Sequence, residues 1–160
     1  MDIRVGQGFD IHRFTDDPER QLVLGGVAFP DSRGLAGHSD ADVIAHAVAD
    51  ALLGAAGLPD IGQLFPDTDP QWQGANSLLI LAEVAARVRA AGWEPGNVDC
   101  KVVCESPKLS VMKDVMERNL SDAIGAVVTV SGRRAEGLGS LGRREGIACW
   151  SVALIARTNP

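Results

Sequence analysis

Tyrosine is absent from this 160-residue chain, and aromatic residues of every kind amount to 4%. A platform on which the bases of a single strand could stack is therefore not expected. Basic residues are outnumbered, 15 Lys and Arg against 21 Asp and Glu, for a formal net charge of −6. A binder of phosphate backbones needs the opposite excess, so no nucleic-acid partner is expected. A small phosphorylated ligand stays open, because it needs only local cations or metal ions. Cysteines number three, too few for a disulfide framework. Cys100, Cys104 and Cys149 read as small buried apolar residues, with soft metal ligation as the alternative. No apolar run reaches the length of about 18 residues that a membrane span needs, and the N-terminus lacks a basic-then-apolar leader. A soluble, cytoplasmic protein without a membrane partner is the expectation.

What is present is an ordinary globular mixture, 46% apolar and 22% charged, whose length predicts one domain over residues 1–160. "DIRVGQGFDIH" predicts a strand with Ile3, Val5, Phe9 and Ile11 as its apolar positions, and "RQLVLGGVAFP" a second strand or hairpin bent at Gly25-Gly26. Ser39 fits a helix N-cap, with Asp42 three residues on. The helix over roughly 40–57 has the stripe Ile44, Ala47, Val48, Ala51, Leu52, places Asp42, His46 and Asp50 opposite, and stops at Gly57 and Pro59. "PDIGQLFPDTDP" reads as a loop. A second helix spans about 76–91, with Leu78, Leu81, Ala82, Ala85 and Val88 inward. "NVDCKVVCE" reads as a strand that places Cys100 and Cys104 on one face. "PKLSVMKDVMERNLSDAIG" is a third helix using Met112 and Met116 as core filler. "AVVTVSGRR" follows as a strand, and "GIACWSVALIART" is apolar enough for a strand buried on both faces. This order predicts an α/β (α+β) fold, a mixed sheet with helices covering one face.

Chemistry concentrates in few residues. Asp10 and His12 stand two apart on a strand, on the same face and about 6.5–7 Å apart along it. His46 lies off the core stripe of its helix. Two imidazoles and a carboxylate leave a fourth position free, which is the pattern of a catalytic rather than a structural zinc site. Three unrelated surface polar residues remain the other reading on these grounds. Asp40 and Asp42 are candidates to accept the imidazoles' second N–H, or are acids favoured at a helix start. "FPDTDP", residues 65–70, reads equally as a substrate loop or a turn cluster.

"GFDIHRF", "GHSDADVIAHAVADALLGAAGLPDIGQLFPDTDP", "GNVDCKVVCESPKL" and "GRREGIA" span nearly the whole chain. Together they resemble the 2-C-methyl-D-erythritol 2,4-cyclodiphosphate synthases of the non-mevalonate isoprenoid pathway. The resemblance implies a homotrimer, with sheets facing a central channel and active sites between subunits. It implies a divalent metal, usually zinc, at Asp10, His12 and His46, and a second ion, magnesium or manganese, near Glu136. His38 and Ser39 would meet the phosphate and diol part of the substrate, His38 as a catalytic candidate. Asp60 and Gly62 would hold the ribose. Phe65, Pro66, Asp67, Thr68 and Asp69 would line the methylerythritol end. Cys104, Pro107, Lys108 and Leu109 would receive the cytosine ring.

The implied reaction is metal-dependent cyclisation of 4-diphosphocytidyl-2-C-methyl-D-erythritol 2-phosphate, with the 2-phosphate attacking the β-phosphorus and CMP leaving. One stretch departs from the family pattern. Arg133, Arg134 and Ala135 stand where that pattern has threonines contacting the diphosphate, and Ser140 stands where it has phenylalanine. Arg134 then reads either as a forked cation on the diphosphate, hence a second catalytic candidate, or as a side chain that blocks the pocket or pairs with Glu136. Arg133 and Arg143 are further substrate-binding candidates. The alternatives for function are a two-metal phosphohydrolase, or a trimeric binding protein in which catalysis has weakened.

Overall fold

The structure, a computed structural model, describes residues 2–157. Its six strands are β1 (Ile3–Arg13), β2 (Gln21–Leu24), β3 (Val27–Arg33), β4 (Trp93–Val103), β5 (Val127–Arg133) and β6 (Gly146–Arg157). The helices are α1 (Val43–Ala56), α2 (Ile61–Leu64), α3 (Ser77–Ala90), α4 (Lys113–Ile124) and α5 (Gly139–Gly142). One sheet runs β1-β6-β4-β5, antiparallel except for the parallel pair β4–β5, and β2–β3 form a separate hairpin. Both turn glycines of that hairpin have positive φ, 56° and 70°, as a two-residue hairpin turn requires. The long helices α1, α3 and α4 cover one face of the sheet, so the expected mixed sheet with one-sided helices is observed.

Strand β1 turns its faces the opposite way from a simple apolar count. Ile3, Val5, Phe9 and Ile11 all point outward, with Phe9 45% exposed, while Gly6 and Gly8 are buried. Against these glycines lies α1, whose Ala47, Ala51 and Ala55 form its line of closest approach. Glycine opposite alanine lets the helix backbone settle directly on the strand. Strand β6 is likewise not buried on both faces: Ile147, Cys149, Ala153 and Ile155 are inside, whereas Trp150 and Val152 are exposed. The sheet thus has one core face and one bare apolar face.

Helix α1 starts three residues later than its sequence suggests. Its N-cap is Asp42, whose carboxylate accepts the N–H groups of Ile44 and Ala45, while Ser39 Oγ accepts from Ala41 N. Asp42 is therefore wholly buried instead of sharing an outer face with His46 and Asp50, and it also accepts from Gly25 N (2.9 Å) and Gly26 N (2.7 Å). One carboxylate thus joins the helix start to the hairpin turn. Gly57 ends the helix in the left-handed conformation, φ 72°. The stripe Ile44, Ala47, Val48, Ala51 and Leu52 is buried, but so is most of the helix, as suits one wedged between the sheet and α3. Each large apolar side chain fully buried there contributes about 1.5–3 kcal/mol.

Helix α3 buries Ile80, Leu81, Val84, Ala85 and Val88, with Leu78 and Ala82 only half-buried, a small rotation from the expected stripe. Met116 is core, Met112 half-buried. Cys104 lies just past the end of β4, not within it, and all three cysteines are buried. Side chains of α4 close the outer edge of β5, with Glu117 accepting Val130 N at 2.8 Å and Ser121 accepting Val128 N at 2.9 Å.

Candidate metal centre and anion cleft

The inward face of β1 runs Gly6, Gly8, Asp10, His12. The two glycines draw α1 close, and one turn of that helix then brings His46 over the two polar residues that follow. Asp10 Oδ2 lies 3.0 Å from His12 Nε2 and 3.1 Å from His46 Nδ1. The three ligand-capable atoms lie within 4.8 Å of one another, and no other such group exists among the described residues. The reading as unrelated surface residues is thereby removed.

Each imidazole has its other nitrogen engaged. His12 Nδ1 donates to the Ala36 carbonyl at 2.7 Å, leaving Nε2 to face Asp10. His46 Nε2 donates toward Ser77 Oγ at 2.9 Å, with Ser39 Oγ at 3.1 Å. The Ser77 hydroxyl in turn donates to Asp40, which also accepts Ser77 N at 3.0 Å. Asp40 thus acts on His46 through a buried serine, while Asp42 serves only the helix start and the hairpin. Such outer partners fix tautomer and ring orientation in metal sites.

Burial works to raise the Asp10 carboxyl, but hydrogen bonds and charge from both imidazoles outweigh it and hold it well below the usual carboxylate range. Burial works to lower His12, yet its bond to Asp10, the carboxylate charge and the Ala36 carbonyl win, and its pKa is raised. Two nitrogens and one carboxylate oxygen converging at this range fit a zinc-type divalent ion with an open position.

Beside the triad opens a cavity of about 420 Å³. His38, Ser39, Gly62, Phe65 and Asp67 line it, five of the residues singled out from sequence, together with Trp72. Asp60, Pro66, Thr68 and Asp69 do not. Asp60 caps α2 in a reciprocal box with Gln63, and Asp69 caps the turn at Pro70–Trp72. The loop is both a wall of this cavity and a cluster of turn caps. Trp72 meets Phe65 edge to face at 5.0 Å, and its buried indole N–H has no partner.

A second cleft, of about 550 Å³, is lined by Cys104, Pro107, Lys108, Leu109, Arg133 and Arg134. Burial, with the charge of Glu105, pushes the Cys104 thiol up to about 11, so it is neutral near pH 7. Arg134 pairs with Glu105, not with Glu136. Glu136 is exposed with φ 53°, and Arg143 pairs with Glu145 at 2.7 Å outside both clefts. Ser77, Trp72, Glu105 and Lys113 were not marked by sequence reasoning. Only Glu105 carried a signal, an acid beside the Pro-Lys of "CESPKL".

The C-terminal ends of β1, β4 and β5 lie at the same end of the sheet. Because β1 and β5 are its opposite edges, the two clefts stand three strand spacings apart, about 14 Å.

A small mixed-sheet domain with an Asp/His/His group that could hold a metal ion at one edge and a cleft rich in basic side chains at the other defines an α/β protein with a candidate metal site. Residues 3–156 match the YgbB family, and the chain belongs to that family. A relative from Azoarcus sp. (strain BH72), 52% identical over 159 residues covering 98% of this chain and 97% of its own, is named 2-C-methyl-D-erythritol 2,4-cyclodiphosphate synthase. One from Rubrobacter xylanophilus, 54% identical over 158 residues and covering 96% and 95%, bears the same name. Among solved structures, the bifunctional IspDF of Campylobacter jejuni matches with a TM-score of 0.92 at 40% identity, covering 99% of this chain and 43% of that one. This chain therefore spans less than half of that bifunctional protein. The Plasmodium falciparum IspF–CDP complex matches with a TM-score of 0.85 at 34% identity, covering 98% and 97%.

Proposed function

We propose that the chain converts 4-diphosphocytidyl-2-C-methyl-D-erythritol 2-phosphate to 2-C-methyl-D-erythritol 2,4-cyclodiphosphate and CMP, a phosphorus–oxygen lyase reaction. The observation that carries this is the convergence of Asp10, His12 and His46 in a chain whose relatives of matching length, over half identical, bear that enzyme's name. An oxygen of the 2-phosphate bonds to the β-phosphorus. The bond from that phosphorus to the bridging oxygen breaks, CMP departs with the oxygen, and no water is consumed.

Nucleophile and electrophile share one molecule, so the protein's task is to fold it into attack geometry. His38, Ser39, Phe65 and Asp67 hold the methylerythritol and phosphate end beside the triad, and Gly62 meets the ribose. Asp60 and Asp69 keep that wall in shape. The Cys104–Leu109 segment receives the cytidine, as a cleft with several cations suits a nucleoside diphosphate. Zinc at the triad and magnesium or manganese near Glu136 supply, when bound, neutralisation of charge between the phosphates and on the departing one. No side-chain nucleophile is required, and the neutral Cys104 thiol is consistent with that.

Because the two half-sites sit at opposite edges of one sheet, the site is completed in a homotrimer, the metal cavity of one subunit facing the cationic cleft of the next. The exposed Ile3, Val5, Phe9, Ile11, Trp150 and Val152 on the bare sheet face support this assembly, since such a patch is unusual on a monomer. No helix among the described residues is long and apolar enough to cross a membrane. The cytoplasm is the proposed location, and three free buried thiols suit a reducing compartment. Phosphorus NMR of the cytidine diphosphate substrate, with and without chelator, tests the reaction. A cyclic diphosphate and CMP, both lost with chelator, are expected; inorganic phosphate or a linear diphosphate product would overturn the proposal.

A further inference from the structure

The cleft at the β5 edge gathers Lys108, Lys113, Arg133 and Arg134 in a protein whose net charge is −6. Two of these cations are already compensated. Lys113 Nζ donates to Glu117 Oε1 at 2.6 Å. Arg134 aims Nε and Nη2 together at one oxygen of Glu105, each at 3.1 Å, while the other oxygen accepts Ala135 N at 2.8 Å. The Glu105 side chain is only 4% exposed, and Gly137 N adds a further hydrogen bond. A buried carboxylate with this many donors is held firmly, and it holds them in return. The Nε–Nη2 edge of Arg134, one of its two forked edges, is thereby occupied and its charge offset.

Arg133 is placed differently. Its guanidinium donates only to the Gly132 carbonyl, at 2.9 Å, and neither it nor Lys108 forms an ion pair among the described residues. We propose that Glu105 is a positioning residue that fastens Arg134 and the turn behind it, so that Arg133, not Arg134, is the arginine this cleft presents to a diphosphate. Arg134 then serves the shape of the cleft, and Arg133 distinguishes a nucleoside diphosphate from a monophosphate. This rests on the cyclisation reading, which places a cytidine diphosphate group here.

The test is calorimetric titration of CDP and CMP into the full chain and its variants in magnesium buffer. Arg133→Thr weakens CDP about tenfold and CMP no more than about twofold, tenfold being about 1.4 kcal/mol. Arg133→Lys, which keeps the charge, stays within about threefold of the parent for both. Arg134→Thr lowers affinity for both nucleotides by a common factor and lowers Tm. Adding Glu105→Gln to it costs little more, because both changes remove one shared interaction. A ratio of CDP to CMP affinity that collapses in Arg134→Thr but survives in Arg133→Thr would overturn the assignment. Parent protein that binds CDP, with Arg133→Thr unchanged in that ratio, removes this inference alone. Parent protein that binds neither nucleotide and makes no cyclic product removes the cyclisation reading with it.

Discussion

Replacing Gly8 with alanine tests the link from sequence to metal centre most directly. A Cβ at Gly8 would stand 2.0 Å from the Ala47 carbonyl oxygen and 2.6 Å from Ala51 N. Both are helix backbone, which cannot swing aside as a side-chain tip can. Ordinary contact begins at 3.4 Å, so strand and helix must separate by about 1.4 Å along that line. Asp10 lies two residues along the strand, and His46 is the helical neighbour of Ala47, so the separation acts between two ligands of one site. Metal–ligand distances tolerate only about 0.2 Å. Metal affinity should therefore fall at least tenfold, within the 10–100-fold range seen when support around a site is disturbed. Overpacking should cost about 1–3 kcal/mol besides. The assay is metal content after dialysis by mass spectrometry, with Tm recorded on the same samples. Gly54→Ala is the control, since its added Cβ meets nothing nearer than Gln7 O at 3.8 Å and alanine favours helix by up to about 1 kcal/mol. Full zinc content in Gly8→Ala, equal to that of the control, would refute the claim that the glycine face sets the ligand geometry.

Asp42→Ala should destabilise the fold by about 3–7 kcal/mol, from a lost cap of about 1 kcal/mol and two stranded hairpin N–H groups at about 1–3 kcal/mol each, read by urea unfolding; a loss under about 1 kcal/mol would contradict the joint role. The gain in Tm on adding zinc should increase from about pH 6 to about pH 8. In the metal-free fold His12, with its raised pKa, stabilises fully below 6.5 and loses this as pH rises through the raised value, whereas the Asp10 contribution is lost only in acid; the metal requires deprotonated imidazole, so both trends widen the gap. A gain that shrinks over that window would count against the ligand assignment. Sedimentation should find three chains together, with turnover per chain falling as dilution separates them, and full turnover from single chains would refute the shared site.

Most of the fold was legible because the signals were local. Gly25-Gly26 marked a hairpin by needing positive φ, Gly57 marked a helix end for the same reason, and the α1 stripe repeated at helical spacing. Faces are harder to read, because an apolar residue on a strand has two destinations. Ile3, Val5, Phe9 and Ile11 alternate as a core face would, yet the core side of β1 is the glycine side, because α1 sits too close for anything larger. The same ambiguity made β6 look doubly buried. Alternation reports that a strand has two unlike faces; which one meets the helices depends on volume, and volume is a property of the pair.

The candidate site divides along the same line. Asp10 and His12 declared themselves because two positions on a strand share a face without help from the rest of the chain. His46 could be suspected only for being a polar residue off a stripe, and its role came from the packing of α1 on β1. Ser77 carried no mark at all: it is the first residue of α3, 31 positions from His46, and only the crossing of two helices puts its hydroxyl against that imidazole. Glu105 is the opposite case, since its acid was visible but its partner, 29 residues away just past the end of β5, was not. An arginine in a turn beside a cleft invites assignment to a phosphate. Whether it is free to go there depends on what carboxylate the fold has already placed beside it, and at Arg134 the fold has placed one.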